Sequence, residues 1–398
     1  MQNRRASDYR SDRRLAYIDG LRAVAVLLVV VFHARAHTPG VNLEHVFLEG
    51  THGVDLFFVL SGFCLAAPTL QRLQREGIAR FDVIAFAAKR VLRIFPPYAA
   101  AVLIFALAGW YAIGHGVALP PGMRPHFEWT DVAGELLFFD RTNQHINQSF
   151  WSLAIEFRWY FLFPLMLALW AARPRALLAI IFMAVVASEL TRASSTDLGV
   201  LPAFLLGIVA AQIHINRHPI ARIAPLIGLA GVGAALLLER GYHFPVQTNV
   251  GWHVVAFALV VAAGHERWLQ RILGQRWLTA VGLASYSIYL VHEPIVSATV
   301  GVLAPRIGST PAFFAAIGLG LLGGAFMWAV VERPITDRAV VSGFVAWTSG
   351  PLRRLFTFAG VPFELKLGHA PVPAVAAASP SAPTIIEFRP GRERAAES

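Results

Sequence analysis

Long apolar runs separated by short polar loops recur along the chain from residue 17 to about residue 335. They read as spans at 17–37, 53–71, 91–113, 152–171, 175–192, 199–214, 220–238, 250–265, 281–303 and 311–331. Runs of this length and polarity cross a bilayer as α-helices, because a helix satisfies its own backbone where no water can. The pattern predicts an all-α fold, a polytopic integral membrane helical bundle of about 10 transmembrane helices.

The informative residues are the polar ones inside these runs. Residues 17–37 carry Asp19 and Arg22 near one end and His33 and His37 near the other. Eleven residues separate Arg22 from His33. That is roughly three helical turns plus about 20°, so both share one face with a rise of about 16 Å between them. A charge and an imidazole on one stripe are costly in lipid and face protein, water or substrate. Arg22 alone also fits an interfacial arginine that snorkels beside Asp19. His33 lies deeper, where imidazoles serve as proton relay, general base or metal ligand.

Four further stretches follow. Asp55 sits in GVDLFFVLSGF at the start of the second span, as a first-turn residue at the positive helix end or as a carboxylate for His33. Ser61 and Gly62 in that block fit helix packing better than nucleophilic chemistry. Arg90 and Arg93 lie one turn apart at the start of a helix expected to break at Pro96 and Pro97. They are ordinary loop charge or, with Arg22, a clamp for an anionic donor, since paired guanidiniums suit phosphate geometry. Glu156 begins the fourth span among Trp151, Trp159 and Tyr160, an aromatic belt or a sugar-stacking surface. His292 and Glu293 lie inside the ninth span, and Glu332-Arg333-Pro334 closes the tenth.

Loop charge adds orientation. Arg72, Arg75, Arg80, Lys89, Arg90 and Arg93 precede the third span. Alternate loops then carry Arg173 and Arg175, Arg217 and Arg222, and Arg267, Arg271 and Arg276, while the intervening loops are poor in positive charge. By the positive-inside rule both termini are cytoplasmic, and an even number of spans agrees by placing both on one side. Residues 1–16 are a basic cytoplasmic segment expected to be disordered, 17–335 a transmembrane domain, and 336–398 a cytoplasmic tail, disordered beyond about 367. The basic head, apolar core and Ala34-Arg35-Ala36 imitate a cleavable signal, but Asp19 and Arg22 interrupt it. The outer loop 114–151 should include a short interfacial helix over Asp131–Phe139.

Composition agrees with this reading. Of 398 residues 56% are hydrophobic and 15% charged, and mean hydropathy is +0.56. A soluble domain has about 45–50% apolar and about 25% charged residues. The net charge of +10 is absorbed by topology, so no nucleic-acid partner is expected. One cysteine, Cys64, excludes an internal disulfide and a cysteine-based metal site. Soluble-enzyme signatures such as a phosphate-binding glycine loop or a nucleophile elbow are absent from the sequence.

Five blocks together resemble the acyltransferase 3 family of bacterial membrane O-acyltransferases. They are Asp-Gly-Leu-Arg-Ala at 19–23 with His33 following, GVDLFFVLSGF at 53–63, RVLRIFPPY at 90–98, FWSLAIEFRWYFLFPL at 150–165 and YSIYLVHEP at 286–294. The resemblance implies a multi-pass protein of the bacterial inner membrane. It implies transfer of an acyl group, usually acetyl, from acyl-CoA to a hydroxyl of a cell-surface carbohydrate or lipid-linked glycan. Acyl-CoA is then a donor substrate, with no permanently bound cofactor and no metal. Arg22 and His33 match the family's essential pair, and Arg90 and Arg93 its Arg-x-x-Arg element. On this reading His33 is the general base, Asp55 or Glu156 fixes its tautomer, and Arg22, Arg90 and Arg93 bind CoA phosphates. An acyl-histidine relay is a variant of the same scheme. A transporter or flippase that uses His33, Asp55 and Glu156 as a substrate or proton pathway is the alternative, and a scaffold without chemistry the third reading.

Overall fold

The computed structural model describes residues 2–38, 48–117, 128–138, 146–191, 197–239, 250–358 and 364–368. The helices in chain order are α1 (Gln2–His37), α2 (Gly53–Glu76), α3 (Val83–Gly114), α4 (Trp129–Leu136), α5 (Trp151–Ala172), α6 (Pro174–Thr191), α7 (Asp197–Asn216) and α8 (Ala224–Glu239). They continue as α9 (Val250–His265), α10 (Arg267–Leu273), α11 (Arg276–Leu283), α12 (Ser285–Ile307), α13 (Ser309–Met327), α14 (Arg333–Ile335) and α15 (Arg338–Phe358). Two short strands, β1 (Ile78–Asp82) and β2 (Glu364–Gly368), pair antiparallel with Arg80 opposite Lys366.

The bundle is an all-α polytopic one, as its hydropathy predicts. Among the described residues, eight helices are long and apolar enough to cross a membrane. Two shorter apolar helices, Pro174–Ser188 and Val250–His265, stand where the fifth and eighth spans are expected. Outward side chains such as Leu103, Ile104, Leu107, Leu165 and Phe182 are exposed, which is the arrangement of a helix bundle whose surrounding solvent is hydrocarbon. Inside, α1 packs against α2, α11 and α12. Its Leu21, Ala23, Ala25, Val26, Val30 and Ala34 are fully buried, and the small residues among them let neighbouring backbones approach. The α2–α7 crossing is a tight form of this. A Cβ on Gly62 would lie 2.0 Å from the Phe204 carbonyl oxygen, and one on Gly207 would lie 2.2 Å from that of Val59.

Several boundaries differ from expectation. The basic head is helical from Gln2 rather than disordered, since no residue between Gln2 and Tyr17 breaks the helix. Pro96 and Pro97 do not break α3, which is continuous from Val83 to Gly114. The Asp82 side chain caps its start by accepting from the Ala85 N–H at 2.9 Å. Arg90 and Arg93 therefore stand about two turns inside the helix, not at its start. The ninth span begins at Ser285, after the separate helix α11. A short helix does form in the outer loop, at Trp129–Leu136, with a capping box between Glu128 and Asp131. The tail beyond 368 lies outside the described residues.

The feature with most consequence for the site is the approach to α5. Ile146, Asn147, Ser149 and Phe150 are all buried. Polar partners inside the bundle satisfy this segment: the Glu135 carboxylate accepts from the Ile146 N–H at 3.0 Å, and the Asn147 amide donates to the Leu290 carbonyl at 3.0 Å. The segment before α5 thus dips into the bundle, and α5 starts at depth, beside the second turn of α12.

Candidate active site

One group of charged side chains lines a pocket between α1, α2, α3, α5 and α12. Arg22 of α1 and Arg90 and Arg93 of α3 all face it. Arg22 has a local partner in Asp19 at 3.9 Å, one turn back on α1. The Arg90 guanidinium lies over the rings of Phe86 and Tyr160, at 5.7 and 5.9 Å from their centroids. Its Nε is buried and, among the described residues, has no hydrogen-bond partner. A buried donor left unsatisfied costs about 1–3 kcal/mol, more when charged, so it marks a place where an anion would be stabilised.

Glu156 lies in the same pocket. Its Oε1 accepts hydrogen bonds from the Ser61 hydroxyl and, at 2.5 Å, from the Tyr160 hydroxyl. The neighbouring wall is made by Tyr286 and Tyr289 of α12. Tyr286 donates to the Ile94 carbonyl at 2.8 Å, across the stretch of α3 whose prolines cannot donate. Tyr289 donates to the Ser149 carbonyl at 2.9 Å, so the Ser152 hydroxyl, 2.6 Å away, is the donor to Tyr289.

Behind Tyr289 a second group surrounds His33. The His33 Nδ1 lies 2.9 Å from the Val29 carbonyl and 3.2 Å from the His292 Nε2. The His292 Nδ1 lies 2.9 Å from the Tyr289 carbonyl. A carbonyl only accepts, so each Nδ1 carries a hydrogen. With both imidazoles neutral, the His292 Nε2 holds a lone pair and accepts from His33, and the His33 Nε2 also holds a lone pair, the form a general base needs. His292 is fully buried, and His37 with Glu293 completes the group at 3.3 Å.

Neither carboxylate expected to orient His33 does so. Asp55 is fully buried and engaged elsewhere: His52 Nδ1 lies 2.8 Å from one oxygen and His253 Nε2 3.1 Å from the other. His52 in turn stacks on Trp252 at 4.5 Å. Asp55 therefore joins the start of α2 to α9. Glu156 sits with the arginines, because the dipping loop places the first turns of α5 deeper than a surface loop would. His292 holds the place assigned to them.

The acyltransferase domain family matches residues 15–329 of the chain. The chain belongs to the acyltransferase 3 family. Within it, O-acetyltransferase OatA of Staphylococcus aureus is 25% identical over 321 residues, covering 72% of this chain and 51% of OatA. A putative O-acetyltransferase of the same species is 22% identical over 370 residues, covering 83% of this chain and 59% of that protein. The chain thus spans about half the length of these relatives. No solved structure matches it.

For this acyltransferase 3 chain the sequence picked out Arg22, Arg90 and Arg93, and the fold brings them together. It missed His52, His253 and the role of Ser61. His52 and His253 lie in or beside apolar runs, and a buried histidine near a span end is itself a signal. What pairs them with Asp55 is contact between α2 and α9, which no local spacing reveals.

Proposed function

We propose that the protein is a membrane O-acyltransferase that moves an acyl group, acetyl in the simplest case, from acyl-CoA to a hydroxyl of a cell-surface carbohydrate or lipid-linked glycan. It would act in the bacterial inner membrane with both termini cytoplasmic. The observation that carries this reading is the three-arginine pocket with its unsatisfied Arg90 Nε, which Tyr289 separates from the His33–His292 pair. Along α1 the two functions stand about 16 Å apart, which suits a long donor with phosphates at one end and a thioester at the other.

In this reaction Arg22, Arg90 and Arg93 hold the CoA phosphates. The acceptor hydroxyl gives its proton to the His33 Nε2 as its oxygen bonds to the thioester carbonyl carbon. The carbon–sulfur bond then breaks, and the proton passes from His33 to the leaving CoA thiolate. His292 keeps His33 in the required tautomer. Base help of this kind is worth about 10²–10⁴-fold. Tyr289 links the two groups, since its ring lines the pocket and its carbonyl fixes His292.

The test uses the full chain in bilayers, given radiolabelled acetyl-CoA and an extract of surface glycans. Ester-linked label that depends on His33 is expected. A fully active His33→Ala enzyme overturns the assignment, and no transfer together with gradient-driven solute uptake favours a transporter.

A further inference from the structure

The chain continues beyond residue 329, where the family match stops. Only Thr336 and Asp337 separate α14 from α15, so α15 must begin at the level where the last span leaves the bilayer. Its 21 residues, RAVVSGFVAWTSGPLRRLFTF, divide into three faces. At 100° per residue, Val340, Trp347, Leu355 and Phe358 fall within about 80° of one another. They are exposed by 46%, 75%, 59% and 92%. Ser342, Ala346, Arg353 and Thr357 take the opposite side. Between them Val341, Val345 and Ser349 are partly or fully buried where the helix rests on α3.

We propose that α15 lies in the plane of the membrane surface and docks through its Val340–Phe358 stripe on lipid, with a preference for anionic headgroups. The helix has the length, the apolar stripe and the polar back of an interfacial helix. Tryptophan and arginine are the side chains that settle at the headgroup level. Trp347 lies in the stripe, and Arg354, which is exposed, flanks it. Arg338, also exposed, stands where the helix leaves the last span. Soluble protein partners are a poorer fit, because α15 follows by two residues the last apolar span, whose Phe326 and Val330 are themselves exposed. The far end is tied down: Arg353 pairs with Asp82, the N-cap of α3, and β2 pairs with β1 just before it. Lipid contact along α15 therefore bears on the helix that carries Arg90 and Arg93.

The experiment uses the full chain with Cys64→Ser and one added cysteine, Trp347→Cys or Ser342→Cys, carrying an environment-sensitive fluorophore. The proteins are placed in bilayers of phosphatidylcholine with and without phosphatidylglycerol. At 347 nitroxide-bearing lipid should remove more than about half of the emission and aqueous iodide little, with the reverse at 342. Phosphatidylglycerol should protect position 347 further, and Arg338→Gln with Arg354→Gln should abolish that gain. Phe358→Cys repeats the reading at the other end of the stripe, so a local disturbance at 347 does not decide it. Equal iodide access at 347, 358 and 342 overturns the proposal. So does shielding of 347 and 358 from both quenchers, which would mean a second copy or another part of the chain covers the stripe. Equal protection with and without phosphatidylglycerol overturns the anionic preference.

Discussion

Replacing His292 with leucine tests the histidine pair most directly. The change keeps approximate volume in a fully buried position but removes the acceptor 3.2 Å from the His33 Nδ1. In the resting enzyme the Val29 carbonyl still receives that N–H at 2.9 Å, so the ground state changes little. In the proposed mechanism His33 becomes an imidazolium as it takes the acceptor's proton, and its bond to His292 becomes charge-assisted. Hydrogen bonds to charged groups contribute about 1.5–3 kcal/mol. Because this one strengthens only as the proton moves, its loss falls on the transition state. At 1.4 kcal/mol per factor of ten, kcat should drop about 10- to 150-fold with the KM for acyl-CoA unchanged. His292→Gln, whose carbonyl can accept from His33, should recover part of the loss. Steady-state acetyl transfer in reconstituted bilayers, with thermal unfolding as a control for folding, measures both variants. A His292→Leu enzyme with normal kcat, or one impaired through donor KM alone, would refute the pairing.

Other parts of the structure give further expectations. Arg90→Gln should raise the KM for acyl-CoA by about tenfold or more with a smaller effect on kcat, because an anion–guanidinium bond is worth about 1.5–3 kcal/mol; initial rates over a donor concentration series decide it. Asp55→Asn leaves two buried histidines facing a neutral amide. Leaving a buried polar group without its partner costs about 1–3 kcal/mol, so it should lower the unfolding temperature while the folded fraction keeps its donor KM. Gly62→Ala should destabilise by about 1–3 kcal/mol through overpacking, since the added Cβ would strike the Phe204 carbonyl of α7; a thermal shift of the purified protein reads this out, and an unchanged midpoint would show that the crossing is looser than described.

The sequence alone determined the bundle and part of the site. Apolar runs long enough to span a bilayer must become helices there, and the described structure has apolar helices at every expected span. Helix geometry fixed the relation of Arg22 to His33, because both lie on one continuous element. The arginine pair one turn apart on α3 was legible for the same reason. Tertiary structure decided which faces of different helices meet. His33 and His292 are 259 residues apart, and nothing local to either says that α1 and α12 pack together there. Depth was likewise a tertiary matter. Glu156 begins the fourth span in the sequence pattern, and it joins the arginines because Ile146, Asn147, Ser149 and Phe150 are buried in the bundle. Asp55 is the complementary case: its place in the first turn of α2 was readable, but its two histidine partners were settled by packing against α9. A helical pattern specifies a direction around one axis and a height along it; the partner found in that direction depends on the whole assembly.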